Sequence, residues 1–262
     1  MSIVSMSSIF RRAFRGLGAL ATFAVVACGT KEAAAPLAPS GPTGRVRFVN
    51  VITDTTRGRV NAILEGVPFG VNLTYTFSTP ATLAAPSTAN YAAVLAGSRS
   101  LVLKRTVDTN VVVATLNVAI GDGEDRTVYA VGGAGGSAVT GFVTTDQNPV
   151  VAATETRLRI VQLSPTAGAV DVFVTAVGAD LATATPAAAN LTYQAASPYF
   201  TRAPGNYQIR AVPAGTAPAN RASSVSINLA TVTFAGGTGR TIVTADSDRG
   251  GTPLQAFVLP DR

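Results

Sequence analysis

The chain has 262 residues, 47% of them hydrophobic but only 6% aromatic and 13% charged, with 20 basic and 14 acidic side chains, one cysteine, no histidine and no tryptophan. The missing histidine excludes Ser-His-Asp and Cys-His nucleophile systems and histidine-bound zinc or iron. A lone cysteine excludes a disulfide framework, so the folded part relies on an apolar core.

The N-terminus carries Arg11, Arg12 and Arg15, then an uncharged, mostly apolar run of eleven residues, 17–27. A run of that length is too short to span a bilayer, which takes roughly 20 residues. It fits the core of a secretory signal. The run ends on Val25-Val26-Ala27-Cys28, which resembles the lipobox of bacterial lipoproteins, where the cysteine is acylated and becomes the first residue of the mature chain. Residues 1–27 are thus predicted to be a signal peptide and Cys28 a lipidation site, which makes the membrane a partner through the anchor. Residues 28–44 are rich in Ala, Pro and Gly without apolar periodicity and are predicted to be a flexible tether. Gly29 stands where an aspartate would favour retention at the inner membrane, so the expected location is the cell envelope, at the outer membrane. The twenty basic residues less the three leader arginines leave 17 against 14 acidic, a net +3 for the mature chain. The basic residues are scattered, so no nucleic-acid partner is expected.

The remaining chain repeats itself. Arg45-Val46-Arg47-Phe48-Val49-Asn50 matches Arg157-Leu158-Arg159-Ile160-Val161-Gln162. Asn72-Leu73-Thr74-Tyr75 recurs as Asn190-Leu191-Thr192-Tyr193, and Tyr91 before Gly97 as Tyr199 before Gly205. Arg126-Thr127-Val128 matches Arg240-Thr241-Ile242, and Phe142-Val143 with Asp146 matches Phe257-Val258 with Asp261. The order is the same in both copies, which is how a duplicated unit reads. The first copy has a longer segment between Tyr75 and Tyr91.

Each copy reads as β. Apolar residues alternate with arginines at 45–48 and 157–160, the period of two that marks a strand. Further strands are predicted at 60–64, 100–104, 111–120, 127–131 and 139–144, then at 170–175, 207–212, 225–229, 241–245 and 254–258. β-Branched residues fill them, and Gly, Pro and Asn separate them. The predicted fold is all-β: two tandem antiparallel β-sandwich domains, immunoglobulin-like. The first spans 45–146, the second 157–262, and 147–156, with its Asn148-Pro149, links them.

Ser164-Pro165, Ala169-Val170-Asp171-Val172-Phe173-Val174, Asn190-Leu191-Thr192-Tyr193, Ser197, Tyr199, Pro204-Gly205 and Tyr207-Gln208-Ile209-Arg210 follow one another in the second copy. This series resembles the bacterial family called domain of unknown function 4397. The resemblance implies a secreted or lipid-anchored protein with the domain in tandem, and brings no catalytic residues. The first copy departs from the pattern: Thr53-Asp54 replaces Ser-Pro, and Asn61 stands in the place of Asp171.

Few residues offer chemistry. Asp122, Glu124 and Asp125 supply three carboxylates within four residues and are the candidate metal ligands, for calcium. Their spacing is not that of an EF-hand, and a solvated turn between two strands is the preferred reading, so no metal site is predicted. Asp246-Ser247-Asp248 reads as a similar turn at the matching end of the second copy. The glycines at 132–136 precede a strand and not a helix, so they form a turn and not a phosphate loop. The repeated tyrosines, Tyr75 and Tyr193, are predicted to be half-buried with their hydroxyls bonded to backbone, and Asn72 and Asn190 to shape a turn. No catalytic residues and no cofactor are predicted. The expected function is a non-catalytic cell-envelope lipoprotein whose two modules bind an envelope protein or glycan or serve envelope structure. The alternatives are a carboxylate-based extracytoplasmic hydrolase or a calcium-binding adhesion module.

Overall fold

A computed structural model describes residues 41–80 and 90–261. These residues form 18 strands and three short 3₁₀ turns. No helix among them is long and apolar enough to cross a membrane. The first sandwich holds β1 (Thr43–Ile52), β2 (Val60–Leu64), β3 (Val67–Leu73), β4 (Ser78–Thr79), β5 (Ala92–Leu95), β6 (Gly97–Arg105), β7 (Asp108–Ile120), β8 (Asp125–Gly132) and β9 (Val139–Asp146). The second holds β10 (Thr156–Leu163), β11 (Val170–Ala176), β12 (Ala188–Leu191), β13 (Ala195–Ala196), β14 (Phe200–Arg202), β15 (Gly205–Pro213), β16 (Ile227–Phe234), β17 (Thr238–Ala245) and β18 (Gln255–Pro260).

Each sandwich pairs strands only with its own. One sheet runs β4-β1-β8-β9, with β5 also on β1, and the facing sheet runs β3-β2-β6-β7. The second sandwich repeats this as β13-β10-β17-β18, with β14 also on β10, and β12-β11-β15-β16. The all-β sandwich architecture is therefore as the alternation predicts. One detail departs from a wholly antiparallel arrangement: β1 pairs with β8, and β10 with β17, in parallel. The chain leaves β1, builds the facing sheet and returns, and only a crossover of that kind lets neighbouring strands run the same way.

Each sandwich closes its own core. In the first, Val46, Phe48, Val128 and Ala130 of β1 and β8 meet Val60, Ala62, Leu101, Leu103 and Val118 of the facing sheet. In the second, Leu158, Ile160 and Ile242 meet Val170, Val172, Ile209, Ala211 and Ile227. A third core lies on the other faces of the β1 and β10 sheets. There Val49, Val51, Tyr129 and Val131 pack against Val161, Leu163, Val243, Ala245 and Leu259. The two sandwiches are thus joined through a buried seam. The alternation of arginines with apolar residues therefore does not mark a solvent-facing side. Both faces of β1 and β10 are covered, and Arg47 and Arg159 are 1% and 2% exposed.

Candidate functional site

The seam gathers the repeated polar residues. Arg47 projects from β1 beside Val49 and Val51, because side chains two apart share a face. Arg159 does the same beside Val161 and Leu163. Each guanidinium is held by an aspartate of the other sandwich: Arg47 Nη2 lies 3.0 Å from Asp261 Oδ1, and Arg159 Nη2 lies 2.7 Å from Asp146 Oδ1. The backbone contacts are reciprocal too, with Arg47 donating to the carbonyl of Pro260 and Arg159 to that of Thr145. Within each sandwich the arginine also donates to a threonine hydroxyl, Thr127 or Thr241, which in turn donates a hydrogen bond to Asp146 or Asp261. Tyr91 lies under Arg47 and Tyr199 under Arg159, at 4.6 and 4.8 Å from guanidinium carbon to ring centre.

Such a pair of arginines and pair of aspartates meets the requirement that buried charges be paired, with the Nε–H of Arg159 left over. Asp146 accepts from Arg159, Thr127, Thr144 Oγ1 at 2.8 Å and Tyr91 Oη at 2.7 Å, and stands 3.8 Å from Arg47. Burial pushes its carboxyl up, but Arg159, Arg47 and these donors outweigh burial and leave it below the ordinary carboxylate range. Burial also raises the phenols of Tyr91 and Tyr199, and that of Tyr129 to about 12. At neutral pH Asp146 is therefore ionised and these phenols are protonated.

Of the acidic residues read as solvated turns, Asp122 is exposed in its turn and Glu124 is half-buried, whereas Asp125 and Asp246 are buried. Asp122 accepts from the Thr43 amide at 3.2 Å. Glu124 takes Arg126 and the Gly121 amide, which hold its carboxyl down. Asp125 is buried, opens β8, and holds Arg45 through two bonds of 2.6 and 2.7 Å, with Asn148 Nδ2 at 2.6 Å. Asp246 is also buried and accepts from Ser164, Thr166 and the Gly251 amide. It follows β17, at the opposite end from Asp125 at the head of β8, so the two acidic turns are not counterparts. Among the described residues no group of three or more Cys, Asp or Glu side chains is placed to hold a metal ion. Cys28 lies outside the described residues.

The Asn-Leu-Thr-Tyr motif is a backbone device. Asn72 and Asn190 adopt left-handed φ of 56° and 49°, which asparagine tolerates better than most residues. The amide of Asn72 donates to Asn61 Oδ1 and that of Asn190 to Asp171 Oδ1, each at 2.8 Å. The difference between Asn61 and Asp171 is thus neutral here, since either side chain offers the same oxygen. Leu73 and Leu191 fill their respective cores. Thr76 and Gln194, one residue after each tyrosine, are left-handed again and donate their amides to Asn50 and Gln162. The tyrosines diverge: Tyr75 crosses the seam and donates to the carbonyl of Asp246 at 2.7 Å, while the Tyr193 hydroxyl accepts from its neighbour Gln194. The seam itself escapes a reading of the sequence, although its four charged residues lie within the repeated segments.

No curated protein matches the chain. The model of the family described as "Domain of unknown function (DUF4397)" matches residues 44–173. That span takes in the first sandwich, β10 and the start of β11, whereas the motifs that carry the resemblance in the sequence lie mostly further on. Its sandwich architecture and this match agree: the chain belongs to the DUF4397 family.

Proposed function

We propose that the protein is a non-catalytic lipoprotein of the bacterial cell envelope. Residues 1–27 are its signal peptide, Cys28 its lipid anchor, and 29–44 a tether that holds out two tandem copies of one module. The modules bind a partner or contribute to envelope structure, at the outer membrane. The observation that carries this reading is Val25-Val26-Ala27-Cys28 closing a short apolar run behind Arg11, Arg12 and Arg15. Two or more acyl chains give stable anchoring where one gives only reversible binding. The non-catalytic part is supported by the state of one buried carboxylate, that of Asp146. A general acid needs a carboxyl raised towards working pH, and Asp146 is held down by two arginines.

The test is fractionation of cells expressing the whole chain. Wild-type protein is expected in the membrane fraction and released by detergent, and Cys28→Ser in the soluble fraction. Mass spectrometry of the mature N-terminus is expected to find an acylated Cys28. An unmodified Cys28 in mature protein would overturn the anchor.

A further inference from the structure

The two sandwiches are not equal at one point, and the inequality opens a cleft. In the first sandwich β1 runs beside β8 with Arg45 opposite Asp125, and the two form the bidentate pair described above. In the second, β10 runs beside β17 in the same register, and Arg157 stands opposite Gly239. The carboxylate has no counterpart. Arg157 makes no ion pair among the described residues; it donates only to Gln147, at the carbonyl and at Oε1.

Arg157 lines a cleft of about 490 Å³ at the seam, between the end of β9 and the loop that precedes β14. Arg159 reaches the same cleft, and both guanidiniums lie against one ring, Tyr199, at 4.2 and 4.8 Å. Arg159 is 2% exposed and its Nε–H has no hydrogen-bond partner among the described residues. The remaining polar lining comes from Thr144, Thr145, Gln147 and Ser197, and no acidic residue lines the cleft. Two like charges on one ring repel, and of these two Asp146 pairs with Arg159 and not with Arg157. The volume is that of a small-molecule site.

We propose that this cleft binds a small hydroxylated carboxylate, of the size of one acidic sugar. Its carboxylate takes, at Arg157, the place that Asp125 takes at Arg45. Arginine presents its donors as a planar fork that fits a carboxylate through two bonds. Threonine, serine and glutamine side chains supply partners for ligand hydroxyls. The site rests on the reading of the chain as a binding module, and names the chemistry that one module would recognise.

The test is isothermal titration of the full chain in mild detergent with glucuronate, glucose and glucose 6-phosphate. Saturable binding of glucuronate is expected, with none of glucose. Arg157→Gln is expected to weaken glucuronate about tenfold or more, the scale of losing charge-assisted hydrogen bonds. Gly239→Asp, which sets a carboxylate at the register position of Asp125, is expected to suppress binding likewise. Unchanged urea midpoints identify the folded variants. The site is overturned by an absence of saturable glucuronate binding, by equal binding of glucose, or by glucuronate binding unchanged in a folded variant. Glucose 6-phosphate binding as tight as glucuronate would overturn the choice of carboxylate. Failure here in a chain that still fractionates with membranes leaves the anchored module standing. Loss of the anchor with binding intact does the reverse.

Discussion

Asp146→Asn is the sharpest perturbation of the seam. The substitution is nearly isosteric and removes one of the two negative charges that balance Arg47 and Arg159. All four charged side chains are at most 2% exposed, so water screens none of the loss. Leaving a buried charge without its partner costs about 3–5 kcal/mol. A folded unit of this kind has about 5–15 kcal/mol in all, so the variant gives up about a fifth of it or more. In a protein of this size each kcal/mol moves the melting midpoint by about 2–4 °C. The measurement is urea unfolding at pH 7, followed by tyrosine fluorescence and circular dichroism, with the midpoint falling and the slope unchanged. Removing both partners, Asp146→Asn with Arg159→Met, is expected to cost less than the two single changes added together. The acid limb adds a second check. The folded carboxyl lies below its unfolded value, so its contribution is full above the ordinary carboxylate range and is lost as pH falls through the folded value. Wild-type stability therefore drops on acidification more steeply than that of Asp146→Asn. A loss within about 1 kcal/mol, the size expected of a solvent-screened pair, would refute the claim that the seam is closed to water.

Further predictions concern the same seam and the acidic turns. Burial raises the phenols of Tyr75, Tyr91, Tyr129 and Tyr199, so the stability they contribute is full below about pH 10 and lost as pH rises through their folded values. Spectrophotometric titration at rising pH is expected to show these phenols ionising only together with loss of the circular dichroism signal; early ionisation of all six tyrosines in folded protein would contradict it. Calcium is expected to leave the melting midpoint within error, because Asp122, Glu124 and Asp125 already face an amide or an arginine, and a concentration-dependent rise would reverse that. Cleavage at a protease site inserted near Pro149 is expected to leave the two halves associated at micromolar concentration, since separation would expose Val49, Val51, Val131, Val161 and Leu163; elution as two independent species on size exclusion would count against the shared core.

The sequence pattern carries the sandwich well and the seam poorly, for one physical reason. Strands with a dry and a wet face announce themselves: Val60–Leu64 is read from alternation and found with Val60, Ala62 and Leu64 inward. Strands lacking that signature are missed. β3 contains Pro68 and Gly70 and exposes Val67 and Val71, and β12 is built from small residues. β16 begins two residues later than 225 and runs on to Phe234. The arginines of β1 and β10 mimic a wet face because period two says which residues share a side, not what covers that side. Recurrence of Arg47 with Thr127 and Asp146, and of Arg159 with Thr241 and Asp261, was the available signal. Read as a set, it pointed to six residues needed in one place.

The reciprocal contacts across the seam are those of a symmetric dimer, with each arginine reaching the other half's aspartate. Here a short connection, 147–155, carries both halves on one chain. Association is then governed by the reach of the connection and not by protein abundance, so dilution leaves the pair together. A two-fold dimer must also make every substitution twice. A single chain makes it once, which is how Arg45 keeps Asp125 while Arg157 faces Gly239. One half can conserve the lattice unaltered while the other varies at its rim.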